Sequence, residues 1–465
     1  MNRPLMPNAT TTGLILAAGK GTRMKSDLPK CLHQVCGVPM VKLVADSMIS
    51  AGVERVIIVV GHGGEAIIEA LGPGYLYAWQ KEQLGTGHAV QCALAELGDV
   101  EGTVVIACGD TPLISTEYFK QFLGAHSGVC TLSVAHLADA TGYGRVVVEG
   151  DKATRIVEQK DASADEKQIR HANAGMYCVD GAALREALKT LKSDNAQGEY
   201  YLTDIVSYFS ESGRAVTAFI SDDPAILLGV NDRVQLAEAN AILRKQINEQ
   251  HMRAGVTIVD PSSTYIGPHV QIGQDSIIEP NTYLEGATRI GKGSRIGPNC
   301  KFTDIEVGDD CYIFLSHGYE AKIGNGCRIG PFANVRPKTV LEDEVRLGNF
   351  VEVNRSHLHE GVKVNHLTYI GDSEIGEETN IGAGTITCNF DGYKKSRTMI
   401  GKNVFVGSNS TLVAPVTIGD GALTAAGSVI TDEIPAGGAG FGRARQVTKD
   451  GWAERRRQQH ENKSE

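Results

Sequence analysis

Ile266-Gly267, Ile272-Gly273, Ile278-Glu279, Leu284-Glu285, Ile290-Gly291 and Ile296-Gly297 keep a single phase. An aliphatic residue returns every six positions, followed by glycine or an acid. After small slips the phase resumes at Val307-Gly308, Ile323-Gly324, Ile329-Gly330, Leu347-Gly348 and Ile370-Gly371. It then runs through Ile375-Gly376, Ile381-Gly382, Ile400-Gly401, Val406-Gly407 and Ile418-Gly419. This period fits neither the 3.6-residue turn of an α-helix nor plain strand alternation. Over residues 266–435 it predicts a parallel β-helix with one short strand on each of three faces per coil. Each aliphatic residue points inward and stacks on its counterpart a full coil away. The small residue behind it is expected to let the backbone turn the corner. A single coil cannot bury its own apolar residues, so stacking makes the fold.

At 465 residues the chain is too long for one ordinary domain. Its net charge of −10 argues against a nucleic-acid partner, which calls for a basic face. Ten cysteines are scattered without a CxxC pair, the pattern of reduced thiols in a cytoplasmic protein. The opening residues MNRPLMPNATTTG lack the basic start and apolar core of a signal peptide. No apolar run reaches the roughly 18 residues that span a bilayer, so no membrane span is expected.

In the amino-terminal half, the apolar run GLILAA (13–18) predicts a buried strand. It feeds Gly19-Lys20-Gly21-Thr22-Arg23-Met24, with Pro29-Lys30 shortly after. A strand entering a glycine-rich turn presents backbone N–H groups that can cradle phosphate. Arg23 and Lys30 add two cations. The loop is not a Walker loop, because no GK[ST] follows. Val56–Val60 leads into Gly61-His62-Gly63-Gly64, and Val104–Ala107 leads into Cys108-Gly109-Asp110. This rhythm predicts an open parallel, Rossmann-like α/β sheet with its site on the loops at the strand ends. Asp110 at a strand end suits Mg²⁺, although a Gly-Asp there reads equally well as a turn. The polar loop Gln80–His88 suits a base edge, or is simply a loop.

From Asp232 to Arg253 the pattern turns helical, with Val234, Leu236, Ala239, Ile242, Leu243 and Ile247 marking an apolar side. Asn231 or Asp232 is placed to cap it. At 1.5 Å per residue it predicts an arm of roughly 30 Å between two domains. The alternative is a helix packed into the first domain. The implied division is 1–233, a helical linker at 234–254, and 255–465.

The repeat breaks near 313–323, at 353–358 and most strongly between Thr387 and Ile400. Insertions in a coil must bulge outward, often on a binding face. Arg336, Asn354, Arg355, His366, Tyr369 and Asn380 cluster along these stretches. A histidine is the natural base for deprotonating an ammonium that attacks a thioester. On the residues alone a single histidine such as His366 is more often structural. His357 and His359 raise the idea of a metal site with it, but no ligand spacing or acidic partner in the sequence supports one. The tail after Trp452, AERRRQQHENKSE, reads as a mobile polar segment.

LILAAGKGTRMKSDLPK (14–30) resembles the signature of sugar-phosphate nucleotidyltransferases. QLGTGHA (83–89), TGYGR (141–145), IVEQKDA (156–162), NAQGEYYLTD (195–204) and GVNDR (229–233) narrow the resemblance. In the carboxyl half NHLTYIGD (365–372), NIGAGTITCNFDG (380–392) and VFVGSNSTLVAPV (404–416) extend it. From about residue 12 to about 452, the chain resembles the family of bifunctional N-acetylglucosamine-1-phosphate uridyltransferases and glucosamine-1-phosphate N-acetyltransferases.

The resemblance implies a nucleotidyltransferase domain followed by a left-handed β-helix of hexapeptide repeats, assembled as a homotrimer. It implies acetyl transfer from acetyl-CoA to glucosamine 1-phosphate, then uridylyl transfer from UTP with release of pyrophosphate. The product, UDP-N-acetylglucosamine, would feed peptidoglycan and lipopolysaccharide precursors. Leu16, Ala17, Ala18 and Gly19 would line the nucleotide, with Cys108 and Gly109 beside them. Arg23 and Lys30 would stabilise the phosphates. Gln80, Gly85 and Thr86 would read the uracil, and Asp110 and Asn231 would bind Mg²⁺. Gly144, Glu158 and Asn173 would hold N-acetylglucosamine. His366 would be the general base of acetyl transfer, with Arg336, Asn354, Tyr369 and Asn380 around the sugar phosphate. Ala383, Asn389, Phe390, Ser408, Ala426 and Arg443 would contact acetyl-CoA. Three positions depart from the family pattern. Cys108 and Phe390 each replace a Tyr, and Asn354 replaces a phosphate-binding Lys. Arg355 is adjacent to Asn354, but neighbours on a strand point to opposite faces.

Two rival readings remain at this point. One is a single-activity nucleotidyltransferase whose β-helix only assembles the oligomer; the long prism, His366 and the 388–397 insertion oppose it. The other is a non-enzymatic scaffold, opposed by the intact set Arg23, Lys30, Asp110 and Asn231.

Overall fold

The apolar runs of the amino-terminal half become central strands buried on both faces. Along Thr10–Leu16, Arg55–Val60 and Gly102–Cys108, alternate residues enter two different cores. Leu14, Ile57, Val104 and Ile106 fall in one, and Ile15, Ile58, Val105 and Ala107 in the other. This is the two-residue alternation of a strand covered by layers on both sides. The computed structural model describes residues 10–97, 102–221 and 229–461. The reading of the amino terminus therefore lies largely outside the described residues. The chain divides into two units, Met1–Gln246 and Ile247–Glu465.

The nine-stranded sheet of the first unit is mixed, not parallel throughout as its rhythm predicts. Leu76–Trp79, Arg55–Val60, Thr10–Leu16 and Gly102–Cys108 are mutually parallel. His171–Asp180 then runs antiparallel to both Gly102–Cys108 and Cys130–His136. It returns directly from the antiparallel pair Arg145–Glu149 and Lys152–Val157, with no crossover helix to restore direction.

The helix Arg233–Arg253 begins at an Asp232 cap, whose Oδ1 accepts from the Val234 and Gln235 N–H groups at 2.9 Å. Its early turns belong to the first unit: Leu236, Ala239, Ile242 and Leu243 pack with Val35, Val38, Met40 and Leu113. Its last turns belong to the second unit, where Asn248 Nδ2 donates to the Pro261 and Thr264 carbonyls. Val234, expected on the apolar side, is 68 % exposed. No described helix is long and apolar enough to cross a membrane.

The second unit is a left-handed parallel β-helix, and its strands run from Thr257–Ile258 to Ala439–Gly440. Tyr265 pairs with Tyr283 and Ile277 with Arg295, so three hexapeptides make one coil of 18 residues. The slips become coils of 17 and 16 residues, and the strongest break a step of 25. Inward residues such as Ile278, Leu284, Ile296 and Ile313 are fully buried. Each contributes about 1.5–3 kcal/mol of burial. Small residues two positions before the inward ones, including Thr264, Ser276, Thr282, Thr288, Ser294 and Cys300, are buried beside them on all three faces. Several of their hydroxyls bond backbone carbonyls, as Ser276 does to Gly291 at 2.7 Å.

The corner chemistry differs from expectation. Apart from Gly297 (φ 104) and Gly330 (φ 113), the glycine after the aliphatic residue does not turn the chain. It permits close stacking, since a Cβ on Gly273 would lie 2.5 Å from Lys292 N. The left-handed turn comes two positions later, at Asp275, Asn281, Asp310, Asn403 and Asn409. Asp and Asn tolerate that conformation best among residues with a side chain. The tail also differs: Trp452–Glu461 is helical, with none of its side chains buried.

Candidate active sites

In the first unit the strand Thr10–Leu16 ends where the glycine-rich turn begins. Gly21 is left-handed (φ 59), and a Cβ there would lie 2.5 Å from Lys30 Cβ. Glycine therefore lets Lys30 sit directly against the turn. No atom lies within 4 Å of the position a Gly19 Cβ would take, so the backbone there is open to a ligand. Across from it Gly85 (φ 108) packs on Tyr200, whose carbonyl would be 2.6 Å from a Cβ.

A cavity of about 350 Å³ lies between them. Leu16, Ala17, Ala18, Gly19, Lys30, Gln80, Gly85, Thr86, Cys108 and Asp110, all singled out by sequence, line it. Lys20, Cys31, Gln83, Ala89 and Glu199 line it too and were not singled out by sequence. Gly109 is not in the lining; its N–H donates to Leu16 O at 2.9 Å and ties two strand ends together. Burial pushes the Cys108 thiol up to about 12, keeping it uncharged.

Four polar side chains meet at one edge. Lys30 Nζ pairs with Asp110 Oδ2 and donates to Asn231 Oδ1 at 3.1 Å. Arg23 Nη2 donates to the same Asn231 oxygen at 2.8 Å. Burial pulls the Lys30 ammonium toward losing its proton, but Asp110 outweighs it and the net shift is upward. Asn231 is held by its own N–H donating to Gln235 Oε1 at 2.7 Å, one turn into the capped helix. The expected sugar residues form a second cluster. A Gly144 Cβ would lie 3.3 Å from Glu158 Oε1, and Asn173 N donates to Gly144 O at 2.8 Å. Burial, reinforced by Asp161, Asp204 and Glu199, raises the Glu158 carboxyl against an opposing Thr203 hydrogen bond.

In the second unit the short strands give way to two nine-residue strands, Arg346–Asn354 and Lys363–Gly371, paired in register. Asn349 faces His366 across that pair. His366 Nδ1 and Asn349 Oδ1 are 2.6 Å apart. The amide oxygen only accepts, so Nδ1 carries the proton and Nε2 presents its lone pair on an exposed side chain. Sequence reasoning missed Asn349, although it stands one coil from His366.

Arg336 Nη1 pairs with Glu352 at 2.8 Å, and Glu352 is in register with Tyr369. Asn354 ends its strand buried. Arg355 is left-handed (φ 48), so strand alternation no longer sends its side chain to the opposite face. Its guanidinium grips Asp372 through two bonds, of 2.7 and 2.8 Å. There it feels both the Tyr369 hydroxyl and the Arg336 charge. Asn389 Nδ2 donates to the same Asp372. A Cβ on Gly371 would strike Tyr369 Oη and Asn389 Nδ2, which places these two groups side by side. Asn380 is in register with Lys363 and Phe405, and no side-chain bond joins it to this cluster.

Ala383, Ser408 and Ala426 form a column over three coils: Asn409 N bonds Ala383 O at 2.7 Å, and Gly427 N bonds Ser408 O at 2.8 Å. The insertion folds back through a Phe390–Lys395 bridge and leaves Phe390 exposed. Arg443 is exposed on the segment after the last coil.

Comparisons with known proteins cover both units. Residues 13–202 match the MobA-like NTP transferase domain, and residues 320–355 and 397–432 match the bacterial transferase hexapeptide (six repeats). The bifunctional protein GlmU of Streptococcus agalactiae serotype III is 48 % identical over 95 % of this chain and 97 % of its own length. GlmU of Caldanaerobacter subterraneus is 48 % identical, and that of Geobacillus thermodenitrificans 47 %, over similar shares. The chain belongs to the GlmU family. As a GlmU-family enzyme it is both a nucleotidyltransferase and an acetyltransferase, and it makes UDP-N-acetylglucosamine. A nucleotide and an acyl-CoA are its substrates. The match over both units removes the scaffold reading and the single-activity reading alike.

Proposed function

We propose that uridylyl transfer takes place at the Arg23, Lys30, Asp110 and Asn231 cluster, and acetyl transfer at His366. The first assignment is supported by the convergence of an Asp110 carboxylate oxygen and the Asn231 amide oxygen on one cation, Lys30 Nζ. Hard oxygen donors at one point, beside the cavity, are the donor set Mg²⁺ takes. When bound, Mg²⁺ supplies charge neutralisation for the triphosphate. Lys30, released from Asp110, and Arg23 then hold the phosphates while the sugar phosphate oxygen attacks the α-phosphorus in line. Gln80, Gly85 and Thr86 orient the base, and Gly144, Glu158 and Asn173 orient the sugar. The work is positioning and electrostatics, with no general base, because the nucleophile is already an anion.

For acetyl transfer, the amino nitrogen of glucosamine 1-phosphate attacks the thioester carbonyl as His366 Nε2 takes a proton from it. The C–S bond then breaks, the proton on His366 passes to the sulfur, and CoA leaves as the thiol. Arg336, Tyr369 and Arg355 face the sugar phosphate, with Arg355 supplying the cation that Asn354 lacks. Asn380 completes the sugar pocket. The column Ala383, Ser408 and Ala426, together with Asn389, Phe390 and Arg443, forms the acetyl-CoA track.

A homotrimer through the β-helix is supported by an exposed apolar corner, where Phe332 stacks on Phe350 at 5.2 Å and Leu367 follows one coil on. A cytoplasmic location is supported by ten free thiols. One assay tests the chemistry. The protein, glucosamine 1-phosphate, acetyl-CoA, UTP and Mg²⁺ are combined, and CoA and pyrophosphate are followed separately. Both are expected, with CoA first; release of pyrophosphate before any CoA would overturn the order of the two steps.

A further inference from the structure

His357 and His359 flank the inward Leu358, so both rings point outward, His357 from the short strand His357–Leu358 and His359 from just past its end. Leu341 lies one coil to one side and Ile375 one coil to the other, in register with Leu358. Glu342 follows Leu341, and Glu374 precedes Ile375. The two rings stack at 4.2 Å between the two carboxylates. Glu342 Oε1 lies 2.7 Å from His357 Nε2 and 3.1 Å from His359 Nδ1. Glu374 Oε1 lies 3.3 Å from His357 Nδ1 and 2.8 Å from His359 Nε2. The sequence suggested no acidic partner for these histidines; folding supplies two, from neighbouring coils, while His366 stands apart from the group.

The donor count makes this arrangement unusual. Each imidazole touches a carboxylate through both nitrogens. A neutral ring has one N–H and one lone pair, and a carboxylate only accepts. Two neutral rings thus satisfy two of the four contacts and set two lone pairs against carboxylate oxygens. Protonating both rings satisfies all four but stacks two cations face to face. One divalent cation supplies the same charge at a single point and uses the lone pairs directly. The outer oxygens are already held from outside: Glu342 Oε2 accepts from Glu360 N at 3.2 Å, and Glu374 Oε2 from Arg397 Nη2 at 3.0 Å. Ligands oriented in this way are what a metal site needs. Burial alone would raise the Glu342 carboxyl, yet the two rings and the Glu360 N–H hold it below its usual value. Among the described residues, Glu342, His357 and His359 are the one such group with ligand atoms mutually within 4.8 Å.

We propose that Glu342, His357 and His359 bind a divalent transition-metal ion of the Zn²⁺ class through Glu342 Oε1, His357 Nε2 and His359 Nδ1, clamping two successive coils, while Glu374 of the next coil accepts from the other nitrogen of each ring and orients it. Two imidazoles and one carboxylate, with a fourth position left to water, suit Zn²⁺ and exclude the all-oxygen shell of Mg²⁺. The site is separate from Asp110 and Asn231 and takes no part in either transfer.

The test uses the full-length protein stripped with chelator, titrated with Zn²⁺ by calorimetry and with Co²⁺ by visible absorption. One ion per chain, the intense absorption of tetrahedral Co²⁺, and a rise in Tm with Zn²⁺ are expected. The double variant His357→Ala/His359→Ala should lose the absorption and the Tm rise. Glu374→Gln should weaken binding about 10- to 100-fold. Affinity should fall as pH is lowered, because protons compete for the imidazoles. Asp110→Asn should keep the absorption, which separates this site from the nucleotide cleft. Absence of the tetrahedral spectrum in the wild type, or its persistence in the double variant, overturns the proposal. Circular dichroism of the metal-free double variant reports whether the β-helix still folds; should it fail to, the single variant Glu342→Gln takes its place, with loss of the spectrum again expected.

Discussion

The two candidate sites are prepared for chemistry in opposite ways. In the first unit the charged groups satisfy one another: Lys30 is paired with Asp110, and Arg23 and Lys30 share the Asn231 oxygen. Under the proposed assignment, substrate and cation break these contacts and replace them. In the second unit Nε2 of His366, the proposed base, has no such partner among the described residues, because the hydrogen bond to Asn349 uses the other side of the ring. The difference follows from the reactions. Transferring a nucleotidyl group requires two anions to be held together, so the site stores charge in compensated pairs until they arrive. Removing a proton from an amine requires a free lone pair, so the site fixes a tautomer and leaves one nitrogen open.

The sharpest break between the two comes from His366→Ala. CoA release is expected to fall by about 10²–10⁴-fold, the usual worth of a general base. Pyrophosphate release from supplied N-acetylglucosamine 1-phosphate should be unchanged. Equal loss of both in a folded variant would mean the sites are not independent. The reciprocal variant, Asp110→Ala, should lower uridylyl transfer by about 10²–10³-fold at saturating Mg²⁺, on the scale of a lost electrostatic stabiliser, and leave acetyl transfer intact. Retention of most of the uridylyl rate would remove Asp110 from the metal.

Arg355→Ala probes the part of the acetyl site that sequence and structure read differently. A charge-assisted hydrogen bond is worth about 1.5–3 kcal/mol. Loss of one to the substrate phosphate should raise KM for glucosamine 1-phosphate by about 10- to 100-fold, with no effect on uridylyl transfer. An unchanged KM would make Arg355 no more than a partner for Asp372.

That position also shows where the sequence stops being informative. Strand alternation sends residue 355 to the face opposite residue 354. The structure puts residue 355 past the strand end, in a left-handed turn, and the argument no longer applies. The hexapeptide period was legible because each repeat answers to the same local demand, one inward aliphatic residue. Its interruptions were legible as site positions for the same reason: whatever breaks a stacking rule must be held outside the stack. Contacts between coils were not. Asn349 beside His366, and Glu342 and Glu374 around His357 and His359, are each about one coil apart in the chain, and single-residue motifs do not see that distance. The turn conformation was likewise assigned to the conspicuous glycine rather than to the Asp or Asn two positions on. In the first unit the loop motifs marked the cavity lining well. The direction of His171–Asp180 was missed, because a strand's polarity is set by the connection that precedes it.

The smallest expected effect concerns Glu158 and contrasts a half-buried carboxyl with the exposed chemistry of the acetyl half. Burial raises this carboxyl above the ordinary glutamate range of about 4.3. The ionised form accepts hydroxyl hydrogen bonds from a sugar at both oxygens, and protonation turns one of those acceptors into a donor. As pH falls through the raised value, the carboxylate is protonated and KM for N-acetylglucosamine 1-phosphate should climb, at a higher pH than an exposed glutamate would dictate. Acetyl transfer should lack this limb. Glu158→Gln should abolish the limb and raise KM at neutral pH by roughly 2- to 10-fold, the worth of one neutral hydrogen bond. Stability should move the other way. A carboxyl whose folded value is raised binds its proton more tightly in the native state, so its contribution to stability falls as pH rises from the unfolded to the folded value. The uncharged Gln escapes that loss, and the variant should melt at a higher temperature than the wild type at neutral pH while binding sugar phosphate less well. A variant that loses both stability and affinity would place the Glu158 charge in the fold rather than in the site.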